Sequence, residues 1–146
     1  MKLNDKEYEI LETLHLESVT RGRGTVALRV IADAEKKTEG VIKDQWVDKS
    51  QDYQEFFWLL YLEAHGAKNV TRLVDHQLVR FRIGEVVEDD VTSVSRELVS
   101  AALDGHETRE HRRMLVTPFG KLLKHFGSLR ELVSVFKDYA EGESRC

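Results

Sequence analysis

The run FFWLLYL, from Phe56 to Leu62, is the densest apolar stretch in the chain and the strongest constraint on its fold. A membrane-spanning helix needs roughly 20 apolar residues, so this segment reads as buried core. Ser50 and Asp52 are candidate caps and Gly66 a left-handed stop, so a helix is expected over 52–65. Tyr53, Phe56, Phe57, Leu60 and Ala64 share one stripe, and Trp58, Leu59, Tyr61 and Leu62 widen it until almost no polar face remains. Such a helix belongs at the centre of a core or is shared with a partner subunit.

Around it, a 146-residue chain with 41% hydrophobic residues has enough apolar content for one domain, taken as 1–146. Its single proline leaves long segments free to be helical, so a mainly α protein is expected. The opening MKLNDKEYEI has no apolar signal core, and the lone cysteine, Cys146, allows no internal disulfide. These features fit a cytoplasmic, soluble chain with no membrane partner.

The first helix is expected over 4–16, capped by Asn4, with Glu7 at the capping-box position and Leu3 stapled against Tyr8. Residues 26–47 read as a strand at their start or as helix throughout. Helices over 26–36 and 39–47 are favoured, with KKTEG as the turn of a helix-turn-helix. NVTRLVDHQLVRFRIGEVV, residues 69–87, is either a hairpin turning at Asp75-His76 or a short helix from Val70 followed by a strand. A helix is expected over about 90–103. Thr117 and Pro118 pair as N-cap and first residue of a helix to Phe126. Ser128 and Glu131 form an S-x-x-E capping box that starts a last helix over 128–140.

No nucleophile–base pair or metal-ligand spacing is visible, so neither an enzyme nor a cofactor is expected. RGRGT, residues 21–25, carries glycines without the flanking strand and Lys-Ser/Thr of a phosphate cradle, and reads as a flexible turn. HETREH, residues 106–111, puts His106 and His111 on diverging faces, which argues against a metal site. The net charge of −4 disfavours nucleic acid as a partner. Positive charge is nonetheless concentrated in residues 68–82 (Lys68, Arg72, Arg80, Arg82) and 109–124 (Arg109, Arg112, Arg113, Lys121, Lys124).

VTRLVDHQLVRFR and REHRRMLVTPFGKLLKHF resemble winged-helix regulators of the MarR type. Val116, Thr117 and Gly120 match the end of that family's return strand, and Glu110-His111-Arg112 resembles its acidic-x-Arg wing element. The resemblance implies a winged-helix-like fold, mainly α with a small β-hairpin wing, acting as a transcriptional regulator on duplex DNA. It implies major-groove contacts from Asn69, Thr71 and Arg72, with Lys68 beside them, and wing contacts from Arg109, Arg112 and Arg113. It also implies a homodimer through the terminal helices, 4–16 and 128–140. The other reading is a helical protein–protein interaction module that modulates a partner enzyme or assembly without touching nucleic acid.

Overall fold

The computed structural model describes residues 1–17, 24–35, 37–50, 54–92, 108–121 and 123–143. It is mainly β, which corrects the helical expectation. Among the described residues, nine strands are formed: β1 (Lys2–Leu3), β2 (Lys6–Glu7), β3 (Ile10–Leu16), β4 (Val26–Asp33), β5 (Thr38–Asp48), β6 (Arg72–Leu78), β7 (Arg80–Ile83), β8 (Val86–Asp89) and β9 (Arg109–Thr117). Helix α1 spans Glu55–Ala64 and helix α2 spans Leu129–Glu143, with a 3-10 turn at Leu123–His125.

The centre is a five-stranded antiparallel sheet in the order β3-β4-β5-β9-β6. β9, late in the sequence, inserts between β5 and β6. It pairs with β5 from Val41↔Val116 to Asp48↔Arg109 and with β6 from Arg72↔Thr117 to Leu78↔Arg112.

Both faces of this sheet are covered. On one, Leu28, Val30, Ala32, Ile42 and Leu115 form a buried cluster with Leu3 and Tyr8 from the N-terminal hairpin. On the other, Leu59 of α1 packs on Met114 and Val116, flanked by Phe56, Val41 and Leu73. Burial from two sides explains why β9 reads RRMLV rather than a clean alternation: Met114, Leu115 and Val116 are all buried.

The expected helix over 4–16 is instead the β1–β2 hairpin and strand β3. Leu3 and Tyr8 do meet, but across a hairpin whose turn begins at Asn4, a residue at φ +49°. Residues 26–47 are strands β4 and β5 rather than a helix-turn-helix. Their Ala and Lys content suggested helix. Period-two burial at Leu28, Val30 and Ala32 outweighs it. Neither reading of 69–87 holds, because β6 runs straight through Asp75-His76 and the hairpin turn lies between β7 and β8 at Gly84, φ +62°. The expected helix after Thr117 is replaced by the last residue of β9, a cis Thr117-Pro118 peptide and the 3-10 turn. The helix expected over 90–103 falls largely outside the described residues.

Two helices are where they were expected. α1 ends at Ala64, and Gly66 adopts φ +68° just beyond it. It is not a central core helix, however: only Leu59 is buried, and Phe57, Trp58, Leu60 and Tyr61 are exposed. α2 carries the anticipated reciprocal capping, with the Glu131 N–H donating to Ser128 Oγ at 3.2 Å and Glu131 Oε2 accepting from the Gly127 N–H at 2.7 Å. Among the described residues, no helix is long and apolar enough to cross a membrane.

β5 approaches β9 closely at Gly40, where a Cβ would sit 2.8 Å from the Val116 carbonyl oxygen and 3.1 Å from Ala32 Cβ. Gly40→Ala should therefore destabilise the fold by about 1–3 kcal/mol. Urea denaturation should show a lower midpoint at unchanged m-value, and an unaltered midpoint would contradict this packing.

Candidate functional site

The pleat of β5 sends neighbouring side chains to opposite faces of the sheet. Val41 and Lys43 face α1, whereas Ile42 and Asp44 face the N-terminal hairpin, as their partners Val116, Met114, Leu115 and Arg113 across the ladder require. Lys43 therefore points at the first turn of α1, where its ammonium forms a hydrogen-bonded ion pair with Glu55. Both side chains remain about one-third exposed, at 34% and 39%, so the pair stands at the edge of an open space rather than in the core.

That space is a cavity of about 650 Å³. Leu14 on β3, Val41 on β5 and Val116 on β9 supply apolar walls, Lys43 and Glu55 supply charge, and residues 118–121 close one side. Thr71 and His125 also reach it. The wall at 118–121 is held in place by two contacts. The Phe119 N–H donates to the Glu39 carbonyl at 3.1 Å, and the Arg29 guanidinium lies 4.6 Å from the Phe119 ring centre. Arg29 is itself fixed by a bidentate pair with Glu39 at 2.8 and 2.9 Å and by Glu12 at 3.4 Å. β3 and β4 are joined through RGRGT, whose Gly24 has φ +53°. The Glu17 N–H donates to the Thr25 carbonyl at 3.0 Å across the base of that connection.

On the opposite face a second charged group ties β5 to β9. The His111 ring stacks on Trp46 at 4.7 Å between centroids. Its Nδ1 contacts Asp90 at 2.7 Å, and its Nε2 contacts Asp44. Arg113 adds two hydrogen bonds to Asp44 Oδ2, at 3.1 and 2.6 Å. Burial disfavours the imidazolium, but its hydrogen bonds to Asp44 and Asp90, and their charges, outweigh it and raise the His111 pKa. Burial likewise disfavours the Asp44 carboxylate, yet the His111 and Arg113 hydrogen bonds and charges hold its pKa below the ordinary value.

The residues expected to contact DNA do not form one surface. Lys68 and Asn69 lie in the bend before β6, with Asn69 at φ +61°, and no recognition helix is present there. Thr71 lines the cavity beside Lys43, and Arg72 starts β6. Arg112 stands opposite Leu78 at the other end of β6, roughly 20 Å from Arg72 at about 3.3 Å per residue. Arg112 pairs with Glu110 at 2.6 Å and Arg113 with Asp44, on opposite faces of β9. Arg109 begins that strand, with its N–H on Thr92 Oγ1 at 2.9 Å. His106 lies outside the described residues.

Lys43 and Glu55 were missed in the sequence. The available signal was the order glycine pair, alternating segment, then apolar-x-Lys in VIK and an acidic residue at the next helix start. RGRGT reads as a flexible turn for want of a preceding strand and a following Lys-Ser/Thr, yet strand β3 does precede it.

With this geometry in place, comparison with known families gives one match. A family model described as fungal protein kinase covers residues 1–145. No curated protein and no solved structure matches. The match overturns the MarR-type resemblance, the duplex-DNA partner and the transcriptional-regulator reading. It also corrects the expectation that the chain is unrelated to an enzyme.

The charged group on β5 and β9 has a defined pH signature. His111 is raised, so its contribution is complete below its unfolded pKa of about 6.5 and is lost as pH rises through the folded value. Asp44 is lowered, so its contribution is complete above about 3.9 and is lost as pH falls through the folded value. His111→Phe, which keeps a ring on Trp46, should cost ~1–3 kcal/mol at pH 6. Wild type and variant should converge in urea stability by pH 9, and a gap unchanged between those pH values would refute the assignment.

Proposed function

The chain belongs to the fungal protein kinase family, and on that premise we propose that it forms an ATP-binding lobe serving phosphoryl transfer to protein. The observation that carries this reading is the Lys43–Glu55 ion pair at the mouth of the cavity. In protein kinases, a lysine on the third strand of the small lobe contacts the α- and β-phosphates and pairs with a glutamate on the following helix. Here the third strand of the five-stranded sheet carries Lys43, and the helix that follows carries Glu55.

Each wall then has a task. Leu14, Val41 and Val116 offer apolar surface to the two faces of a nucleobase. Along 118–121, Pro118 has no N–H and that of Phe119 is held by Glu39. Gly120 and Lys121 are the backbone donors left in that wall, among the described residues, to meet a base edge. The glycine-bearing β3–β4 connection corresponds to the loop that covers the phosphates in protein kinases, with two glycines, Gly22 and Gly24, instead of three. Lys43 neutralises phosphate charge, and Glu55 holds the ammonium in position for it.

The catalytic base and the magnesium-holding residues of protein kinases lie in H-R-D and D-F-G motifs. Neither string occurs in these 146 residues. What this chain's own residues do is bind and orient the nucleotide.

The test is titration with a fluorescent ATP analogue. Lys43→Met should weaken binding by roughly 10- to 100-fold, the loss expected for a charge-assisted hydrogen bond. Glu55→Gln, acting through Lys43, should weaken it less. Circular dichroism should show both variants folded, because both side chains are partly exposed. Unchanged affinity in Lys43→Met would overturn the assignment.

A further inference from the structure

A second cavity, of about 680 Å³, lies at the far end of β6 from the nucleotide space. β6 stops at Leu78, so the edge of the sheet is open there and side chains from both faces of β9 reach one hollow. Arg112 arrives from the α1 face and Arg113 from the hairpin face. Lys2 and Asn4 roof it, and Arg80 closes the third side. The roof is fastened by Asn4, whose N–H donates to Gln77 Oε1 and whose Nδ2 donates to Asp75 at 2.8 Å.

The lining holds four cations, Lys2, Arg80, Arg112 and Arg113, and no carboxylate among the described residues. The nearby acids are engaged outside the lining. Asp89 accepts from Arg80 Nε at 2.8 Å, Glu110 accepts from Arg112 Nε and Nη2, and Asp44 accepts from Arg113. Arg113 is held at all three nitrogens, because its Nη1 donates to the Lys2 carbonyl at 2.7 Å. Donors remain on the others: the terminal nitrogens of Arg80, Nη1 of Arg112, Nε2 of Gln77 and the Lys2 ammonium, which meets no carboxylate among the described residues. An uncompensated ammonium beside two half-used guanidinium forks suits a ligand with at least two negative charges and several acceptor oxygens.

We propose that this cavity binds a phosphate monoester dianion, presented by a phosphorylated serine or threonine side chain. The volume exceeds what a free phosphate ion fills, which leaves room for polypeptide flanking the phosphorylated residue. The site shares none of its lining with the nucleotide cavity and does not rest on the nucleotide reading.

The experiment is an amide NMR titration of the whole chain with a short neutral peptide carrying one phosphoserine, its unphosphorylated form, and inorganic phosphate. Phosphopeptide-dependent shifts should appear at Asn4 and Gln77–Arg80, with the unphosphorylated peptide silent and inorganic phosphate at least about fivefold weaker. Lys2→Ala and Arg80→Ala should each weaken the phosphopeptide roughly fivefold or more, one charge-assisted contact apiece. Both side chains are exposed, so the fold should survive. Inorganic phosphate binding as tightly as the peptide would reassign the site to the free ion. Shifts confined to the surroundings of Lys43, insensitivity to both substitutions, or no phosphate-dependent shift would overturn the proposal.

Discussion

The pairing of β5 with β9 is the constraint on which the rest of the molecule depends. It joins residues 41–48 to residues 109–116 in continuous antiparallel register, across the long intervening segment that contains α1, β6 and the β7–β8 hairpin. Closing so long a loop costs conformational entropy, which local contacts do not recover. The compensation is burial on both sides of the ladder: Ile42 and Leu115 on one face, Met114 and Val116 on the other. Without this ladder, Val41 and Val116 do not share a wall, and Lys43 has no fixed position relative to α1.

The same strand separates two kinds of electrostatics by the pleat alone. Lys43 stands beside a cavity with its charge only partly shielded by Glu55, available to a ligand. Asp44, one residue later, is surrounded by His111, Arg113 and the N-terminal hairpin, and its charge is satisfied within the protein. Adjacent residues of opposite sign thus take opposite roles. One side of the strand carries a partly exposed charge at a cavity, the other a charge that holds the sheet together. A shift of one residue in register would exchange them, so the function of the site and the stability of the fold rest on one alignment.

How much of this was legible follows from which forces are local. The α2 start was readable because Ser128 accepts from the Glu131 N–H and Glu131 from the Gly127 N–H within one turn, and the end of α1 because Gly66 supplies the left-handed conformation. Strands β4 and β5 were misread because their Ala and Lys content favours helix and outweighed the alternation at Leu28, Val30 and Ala32; the central place of β9 was hidden because its partners on β5 and β6 lie far away in sequence. A scarcity of proline removed obstacles to helix without creating any preference for it. The MarR-type resemblance rested on VTRLVDHQLVRFR and REHRRMLVTPFGKLLKHF; within the second, REHRRMLVT is indeed a strand leading into Pro118, but inside a five-stranded sheet rather than a wing. Lys43 and Glu55 escaped notice because each is an ordinary surface charge until the fold brings the third strand against the next helix.

The central claim is that the space walled by Leu14, Val41, Lys43, Val116 and Gly120 receives ATP. The most direct measurement is a map of backbone amide shifts on titration with ATP, by heteronuclear NMR of the whole chain. Perturbations should concentrate at Leu14, Gly24–Val26, Lys43 and Gly120–Lys121, leaving Asn4 and Gln77–Arg80 at the other end of the sheet in place. Shifts centred elsewhere, or none at millimolar nucleotide, would contradict the account.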